Sequence, residues 1–447
     1  MSRLSAPFDK LRRRLTSGGF FANVALLAGG TAFAQAVGML AAPWLTRIYS
    51  PSDFGLVAVY GSVLGLVGVL ASLRYELAIP LPPDDETAAN VLALCLVLVI
   101  ALTGVMFAAV PLVGDAVVRW TNTGPSASGP GLRPYLWLLP MGFLLSGLYT
   151  ALNYWALRKK AFGRITKTRV NQSLSGTGTS VALGLLGFKP VGLLIGTMVS
   201  AGAGIGTLAT LAWRQDRPAM QAIRLRGVWL GAARYAKFPL IASWSGVLNT
   251  LALVLPMLLI SRFFDTEVAG KVALVNRILG LPLGLIGGAI AQVYFAEGAE
   301  LAAKAPDRLY PLFMRTTKRL GVLAAIVAAV GLTAPLFFGP LFGQKWQEAG
   351  LYALVLTPVF LAQVLVSPLS MTAAIGERQG IQLFGDALRA ALVVGVFAVG
   401  HQQRLGVLPV LGLYAGAMAV TYGVYWVLYA RIARHVGRGA LRPLREE

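Results

Sequence analysis

The sequence predicts an all-α membrane protein with about twelve transmembrane helices in two six-helix lobes around a central cavity, both termini cytoplasmic. Three observations carry that expectation. Hydrophobic residues make up 56% of the 447 residues and mean hydropathy is +0.69, well beyond the range of a soluble domain. Twelve apolar stretches follow one another along the chain, most of them close to the roughly 20 residues that cross ~30 Å of hydrocarbon. Basic residues gather in every second loop, which explains the formal net charge of +21 without nucleic acid.

The expected spans of the first half are residues 20–48, 54–79, 88–110, 135–157, 170–188 and 191–213. The first follows Arg12, Arg13 and Arg14 and contains Ala32-Phe33-Ala34, which looks like a signal-peptidase site. Apolar character continues past Gln35 to Leu45, so an uncleaved span is expected. The second and third are separated by the turn Asp84-Asp85-Glu86, read as solvated. The fifth is unusually polar, with Asn171, Gln172, Ser173, Ser175, Thr177, Thr179 and Ser180. The sixth carries Gly192, Gly196, Ser200 and Gly204 at four-residue spacing, a row that lets helix backbones approach closely. The second half is expected to span at 238–261, 268–295, 320–338, 351–375, 387–400 and 408–430, the eleventh being the shortest.

Charge orients these spans. The N-terminal segment and the loops after spans four, six, eight and ten hold most of the 39 basic residues, together with the tail bearing Arg431, Arg434, Arg438, Arg442 and Arg445. The alternate loops hold few, among them Arg47, Lys189, Arg262 and Lys271. Basic loops resist translocation, which makes both termini cytoplasmic. The charges lack interleaved aromatic platforms and alternate with hydrocarbon-length segments, so nucleic acid is not an expected partner.

The basic stretch 214–237 divides the chain into an N-terminal six-helix lobe, residues 1–213, and a C-terminal lobe with a basic tail, residues 238–447. It is read as a cytoplasmic linker able to lie as an amphipathic helix on the membrane. A faint duplication supports two lobes. Thr46-Arg47-Ile48-Tyr49, then Gly55 and Ala58, recur as Ser261-Arg262-Phe263-Phe264, then Gly270 and Ala273, at a constant offset of 215 residues. An acidic residue, Asp53 or Glu267, sits in each turn. An even number of spans per half makes the repeat parallel, with its axis along the membrane normal.

Chemical machinery is missing. No Gly-rich phosphate loop ends in Lys-Ser/Thr. His401 and His435 are the only histidines, and the single Cys95 lies inside the third span. The external segment 111–134 is too small for a catalytic domain. Neither an enzyme, a metal site nor a cofactor is expected. What remains are polar groups inside the membrane, where an ionised side chain costs at least ~2.5–3.5 kcal/mol and therefore marks function by default. Arg277, beside Asn276, lies ~13 Å along the eighth span at 1.5 Å per residue. It is read as facing a hydrated cavity and attracting an anion, the alternative being pairing within the protein. Arg74 and Glu76 close the second span; two residues apart, they should not share a helix face. Gln35 and Asn249 complete the candidate cavity residues, although interhelical hydrogen bonding is the plainer reading of both.

The run Arg74-Tyr75-Glu76-Leu77-Ala78-Ile79-Pro80-Leu81-Pro82, following Tyr49-Ser50-Pro51-Ser52-Asp53-Phe54-Gly55, resembles the opening of bacterial Wzx-type polysaccharide exporters. So does the stretch from Leu152 through Tyr154-Trp155 to Lys160. In the second half the resemblance continues through Arg234-Tyr235-Ala236-Lys237-Phe238-Pro239, Arg277-Ile278-Leu279-Gly280-Leu281-Pro282, Trp346-Gln347-Glu348-Ala349-Gly350 and Ser367-Pro368-Leu369-Ser370. It implies the multidrug/oligosaccharidyl-lipid/polysaccharide superfamily and, within it, an O-antigen or lipopolysaccharide-type flippase. Such a protein moves a polyprenyl-pyrophosphate-linked oligosaccharide across the bacterial inner membrane by alternating access, its cationic lumen holding the anionic headgroup. The implied partners are that lipid-linked substrate, the bilayer, and a polysaccharide polymerase or other export machinery. Two other readings stay open: a cation-coupled multidrug antiporter of the same fold, which would favour a central acidic residue such as Glu76, and a membrane glycosyltransferase or polymerase.

Overall fold

The computed structural model describes residues 20–125, 131–376 and 379–437, and among these the regular structure is helical throughout. Arg12–Arg14, Arg378, Arg438, Arg442 and Arg445 fall outside the described residues. Helix is what apolar segments of this length must form, because hydrocarbon offers no partner for backbone N–H and C=O groups. Among the described residues, eight helices are each long and apolar enough to cross a bilayer by themselves. The other four expected spans coincide with Phe20–Leu40, Leu138–Arg158, Phe162–Leu185 and Gln379–Gln402.

Several expected boundaries move. The first span breaks between Leu40 and Ala42, just before Pro43. The second ends early: its helix is Pro51–Gly68, and a short 3-10 turn, Tyr75–Ala78, follows after a bend. Leu73 and Arg74 at that bend adopt left-handed backbone angles, φ 50° and 64°. The third overruns its expected end, as Asp85–Thr121 passes through Pro111 and takes residues 111–121 of the expected external segment into helix. The eleventh is a 24-residue helix rather than a short one.

The chain forms two compact units. One comprises Met1–Tyr49 with Leu56–Val254, the other Ser50–Gly55 with Leu255–Glu447. The division between Val254 and Leu255 falls within the helix Ser243–Phe263. The stretch 214–237 is packed within the first unit: the Arg224 N–H donates to Asn90 Oδ1 at 2.9 Å, and Tyr75 Oη donates to the Ala232 carbonyl at 2.9 Å. The core beneath it gathers Ala88, Leu92, Ala151, Trp155 and Leu208.

In the same unit the polarity of the fifth span resolves into packing. Gly176, Ser180 and Gly184 face Gly192, Gly196 and Ser200 on the helix Val191–Gly202. A Cβ added at Gly196 would lie 2.0 Å from Ser180 Oγ, and one at Gly176 would lie 2.9 Å from the Gly196 carbonyl oxygen. Two small-residue rows thus interlock as expected of close helix pairs in lipid. Ser180 satisfies its hydroxyl on the Gly176 carbonyl, and its own carbonyl accepts from Tyr49 Oη at 2.7 Å. Ser173 Oγ donates across to the Ala34 carbonyl at 2.5 Å, tying this helix to Phe20–Leu40.

The second unit has its core around Tyr294, Phe313, Leu320, Leu369, Tyr429 and Ala433. It also contains both turns of the faint duplication. Ser50 Oγ accepts from the Asp53 N–H at 3.1 Å and Asp265 Oδ1 from the Val268 N–H at 2.7 Å, each capping the helix that starts one residue later. These pairs are related by the same offset of 215. A Cβ at Gly55 would sit 1.7 Å from the Thr266 carbonyl oxygen, and one at Gly270 1.7 Å from the Pro51 carbonyl oxygen. Pro51 and Thr266 are themselves equivalent in the duplication, so the two turns pack on each other reciprocally. Only glycine permits that approach.

Candidate charged sites within the membrane

In the first unit Arg74 and Glu76 come together, contrary to the expectation for an i, i+2 pair. That expectation assumed a continuous α-helix. The left-handed step at Leu73 and Arg74 folds the guanidinium back, so Nη1 lies 3.7 Å from Glu76 Oε1. Glu76 is 4% exposed, and its other carboxylate oxygen accepts from Ser72 Oγ at 2.5 Å. Arg74 rests over Gly246, where a Cβ would come within 3.1 Å of Nε. Its Nε is buried and makes no hydrogen bond. A buried donor without a partner is costly.

In the second unit Arg277 and Asn276 open a wide π-helical turn, Asn276–Gly280, between the helices Thr266–Val275 and Leu281–Lys304. Pro282 supplies the cause: it has no N–H for the Ile278 carbonyl, and its ring crowds that carbonyl four residues back. Asn276 is exposed and Arg277 half-buried, while Ile278 and Leu279 are buried on the opposite side. Turns of this kind within spanning helices recur at functional positions because they re-aim a side chain. Gln35 is half-buried on Phe20–Leu40, and Asn249 is exposed on Ser243–Phe263.

Within the acidic triplet Asp84 and Glu86 are exposed, as a solvated turn requires, but Asp85 is a clamp. Asp84 caps the helix Asp85–Thr121 by accepting from the Thr87 N–H at 2.6 Å, and this hydrogen bond holds its carboxyl below the usual carboxylate range. Asp85 pairs with Arg158 Nε at 3.0 Å and Lys159 Nζ at 2.6 Å. Arg158 also donates to the carbonyls of Pro80 and Pro82, at 3.3 and 2.6 Å. Lys159 reaches Asp216 at 2.9 Å, which in turn accepts from Trp155 Nε1 at 3.0 Å. Burial alone would lower the Lys159 pKa, but its hydrogen bonds to Asp85 and Asp216 outweigh that and leave it raised. Two segments that carried the family resemblance, Arg74–Pro82 and Leu152–Lys160, are thus packed on each other. Removing Arg158 by alanine substitution is expected to cost about 2–4 kcal/mol, since a charge-assisted bond contributes ~1.5–3 kcal/mol and two carbonyls also lose their donor. Thermal unfolding in detergent checks this; a change below ~0.5 kcal/mol, typical of a surface site, would contradict it.

Sequence reasoning did not find Lys271 as a buried group. It is 6% exposed, with Glu267 Oε1 at 2.7 Å and Glu348 Oε2 at 2.5 Å from Nζ. Glu348 belongs to the motif whose Trp346 is fully buried edge-on against Phe54, with ring centroids 4.9 Å apart. The i, i+4 spacing of Glu267 and Lys271 was the available signal. A groove of about 850 Å³ between Gln379–Gln402 and Val407–Gly437 is lined by residues such as Leu392, Val396, Val399, Pro409 and Leu413. Its lining suits hydrocarbon and offers nothing to an anion.

Residues 44–351 match the family described as polysaccharide biosynthesis protein. The chain belongs to that family. The member is 26% identical over 400 residues to the succinoglycan biosynthesis transport protein ExoT of Rhizobium meliloti (strain 1021), covering 87% of this chain and 75% of ExoT. Its fold is shared with an inward-facing multidrug resistance MATE transporter of the MOP superfamily, at TM-score 0.67 and 16% identity, covering 93% of this chain and 96% of that one. The lipid II flippase MurJ in an inward closed conformation also has TM-score 0.67, at 11% identity, with 93% and 90% of the two chains covered. This family member is accordingly a multi-pass membrane protein with a MOP-type helical fold.

Proposed function

We propose that this chain is a flippase that carries a polyprenyl-pyrophosphate-linked oligosaccharide from the cytoplasmic to the external leaflet of the bacterial inner membrane. Family membership and the likeness to a succinoglycan transport protein support the polysaccharide side of this reading. One observation about the residues carries the headgroup side: in each unit an arginine occupies an irregular turn, Arg74 at a left-handed bend just past the end of the span Pro51–Gly68 and Arg277 at a π turn within the span Thr266–Ala302.

The physical obstacle is a sugar chain whose hydrogen-bonding groups hydrocarbon cannot satisfy. A hydrated path removes that obstacle, and no bond need be broken. Arg74 and Arg277 each offset pyrophosphate charge during transit, and a guanidinium presents planar paired donors to phosphate oxygens. Alternating exposure of the headgroup to the two sides completes the cycle, with the isoprenoid tail remaining in lipid. An outward-moving anion gains about 2.3 kcal/mol per charge per 100 mV with the cytoplasm negative, so a doubly charged headgroup gains roughly twice that without ATP.

A multidrug antiporter of the same fold is the weaker reading. Glu76, the acidic residue it would use, is already engaged by Ser72 and Arg74. In a strain lacking the gene, polyprenyl-linked glycan is expected to accumulate on the cytoplasmic side, and plasmid-borne protein should clear it. Normal glycan export in the deletion strain, combined with hypersensitivity to cationic drugs, would favour the antiporter instead.

A further inference from the structure

The helix Leu225–Arg234 leads through Lys237 directly into Phe238–Phe263, a segment long and apolar enough to cross the bilayer. It therefore sits where a membrane-spanning helix leaves the hydrocarbon. At 3.6 residues per turn, Gly227 and Gly231 fall on one side, and that side meets the helix Asp85–Thr121. A Cβ at Gly227 would lie 2.5 Å from Asn90 Oδ1 and one at Gly231 3.4 Å from Val91 Cγ2. The remaining arc carries Leu225, Arg226, Trp229, Leu230, Ala233 and Arg234, all exposed. Leu225 is 87% exposed, Trp229 76% and Leu230 58%. Arg224, immediately before the helix, is exposed as well.

We infer that this arc docks on the anionic lipid headgroups of the inner leaflet. Charge selects the partner. Three arginines around an exposed tryptophan and two leucines match an interface of negative headgroups over acyl chains, and tryptophan favours that depth. A solvated protein face would not carry that much apolar surface at a membrane boundary. The consequence reaches the candidate site. Tyr75, between Arg74 and Glu76, donates to the Ala232 carbonyl of this helix, and Asn90 holds its N-terminus through the Arg224 N–H. Lipid charge thereby fixes the element against which the Arg74 bend is braced.

The test uses the full chain carrying Trp229→Cys labelled with an environment-sensitive fluorophore; Cys95, the other thiol, is fully buried and stays in place. The labelled protein is reconstituted in vesicles of phosphatidylcholine alone or mixed with phosphatidylglycerol. The neutral quencher acrylamide reports water access, and a lipid spin-labelled near its headgroup reports membrane contact. Phosphatidylglycerol is expected to raise lipid quenching and lower acrylamide quenching, each by on the order of 2-fold, because each surface arginine is attracted to the anionic leaflet. High salt, or Arg224, Arg226 and Arg234 all changed to Gln, should abolish the lipid dependence. Leu225→Cys, labelled in the same way, must reproduce the pattern, which separates docking from any local effect of losing Trp229. Acrylamide quenching unchanged by phosphatidylglycerol at both positions would overturn the inference. So would a label shielded from acrylamide and spin-labelled lipid alike, which would mean that protein covers the arc.

Discussion

Gly270→Ala is expected to destabilise the protein by about 3 kcal/mol or more. Ordinary overpacking costs ~1–3 kcal/mol when side chains can move aside. Here the obstacle is backbone, since the added methyl would lie 1.7 Å from the Pro51 carbonyl oxygen and 2.7 Å from the Gly55 N. Gly55→Ala should behave alike, because its methyl meets the Thr266 carbonyl oxygen and the Gly270 N. The double variant should cost much less than the sum of the two, as both open one contact. Gly65→Ala is the control: it lies on the same helix as Gly55 and has nothing within 4 Å of the added methyl. Thermal unfolding and the monodisperse fraction in detergent read the difference. Equal behaviour of Gly55→Ala and Gly65→Ala would refute the reciprocal packing of the two turns.

Arg277→Ala is expected to slow translocation on the order of 10-fold or more while leaving expression close to normal. A charge-assisted contact to a phosphate oxygen is worth ~1.5–3 kcal/mol, and each 1.4 kcal/mol is a factor of ten in rate if the contact is made only in transit. Arg277→Lys should recover part of the rate, since it keeps the charge but loses the paired donors. Rates should be compared at equal reconstituted protein. An alanine variant that transports as fast as the parent would remove Arg277 from the pathway and leave its π turn as a matter of packing alone.

What could be read from the sequence, and what could not, divides along a physical line. Span existence follows from hydropathy, because the bilayer imposes both length and backbone satisfaction on every crossing segment. The equivalence of Gly55 and Gly270 was also readable, since both turns solve the same packing problem with the same residue at a constant offset. Interruptions were less accessible. Pro282 is a local signal for the turn at Asn276–Gly280, but nothing in Leu73-Arg74-Tyr75 announces left-handed backbone, and the i, i+2 argument against an Arg74–Glu76 pair failed for that reason. The long-range ion pairs were invisible for another reason. Asp85 finds Arg158 across 73 positions and Lys271 finds Glu348 across 77, distances at which periodicity carries no information. The polarity of the fifth span was legible but its purpose was not. Its Gly176, Ser180 and Gly184 serve close packing, and the hydroxyls of Ser173, Ser175 and Ser180 are satisfied within or between helices.

The most direct measurement of the central claim follows a lipid-linked oligosaccharide in proteoliposomes containing only the purified chain, with an impermeant glycan-modifying reagent reporting the leaflet that holds the headgroup. The account predicts protein-dependent movement of the headgroup out of the leaflet where it was loaded, faster under a membrane potential negative on that side, and much reduced by Arg277→Ala. Translocation no faster than in protein-free vesicles, for a folded preparation under that potential, would contradict it.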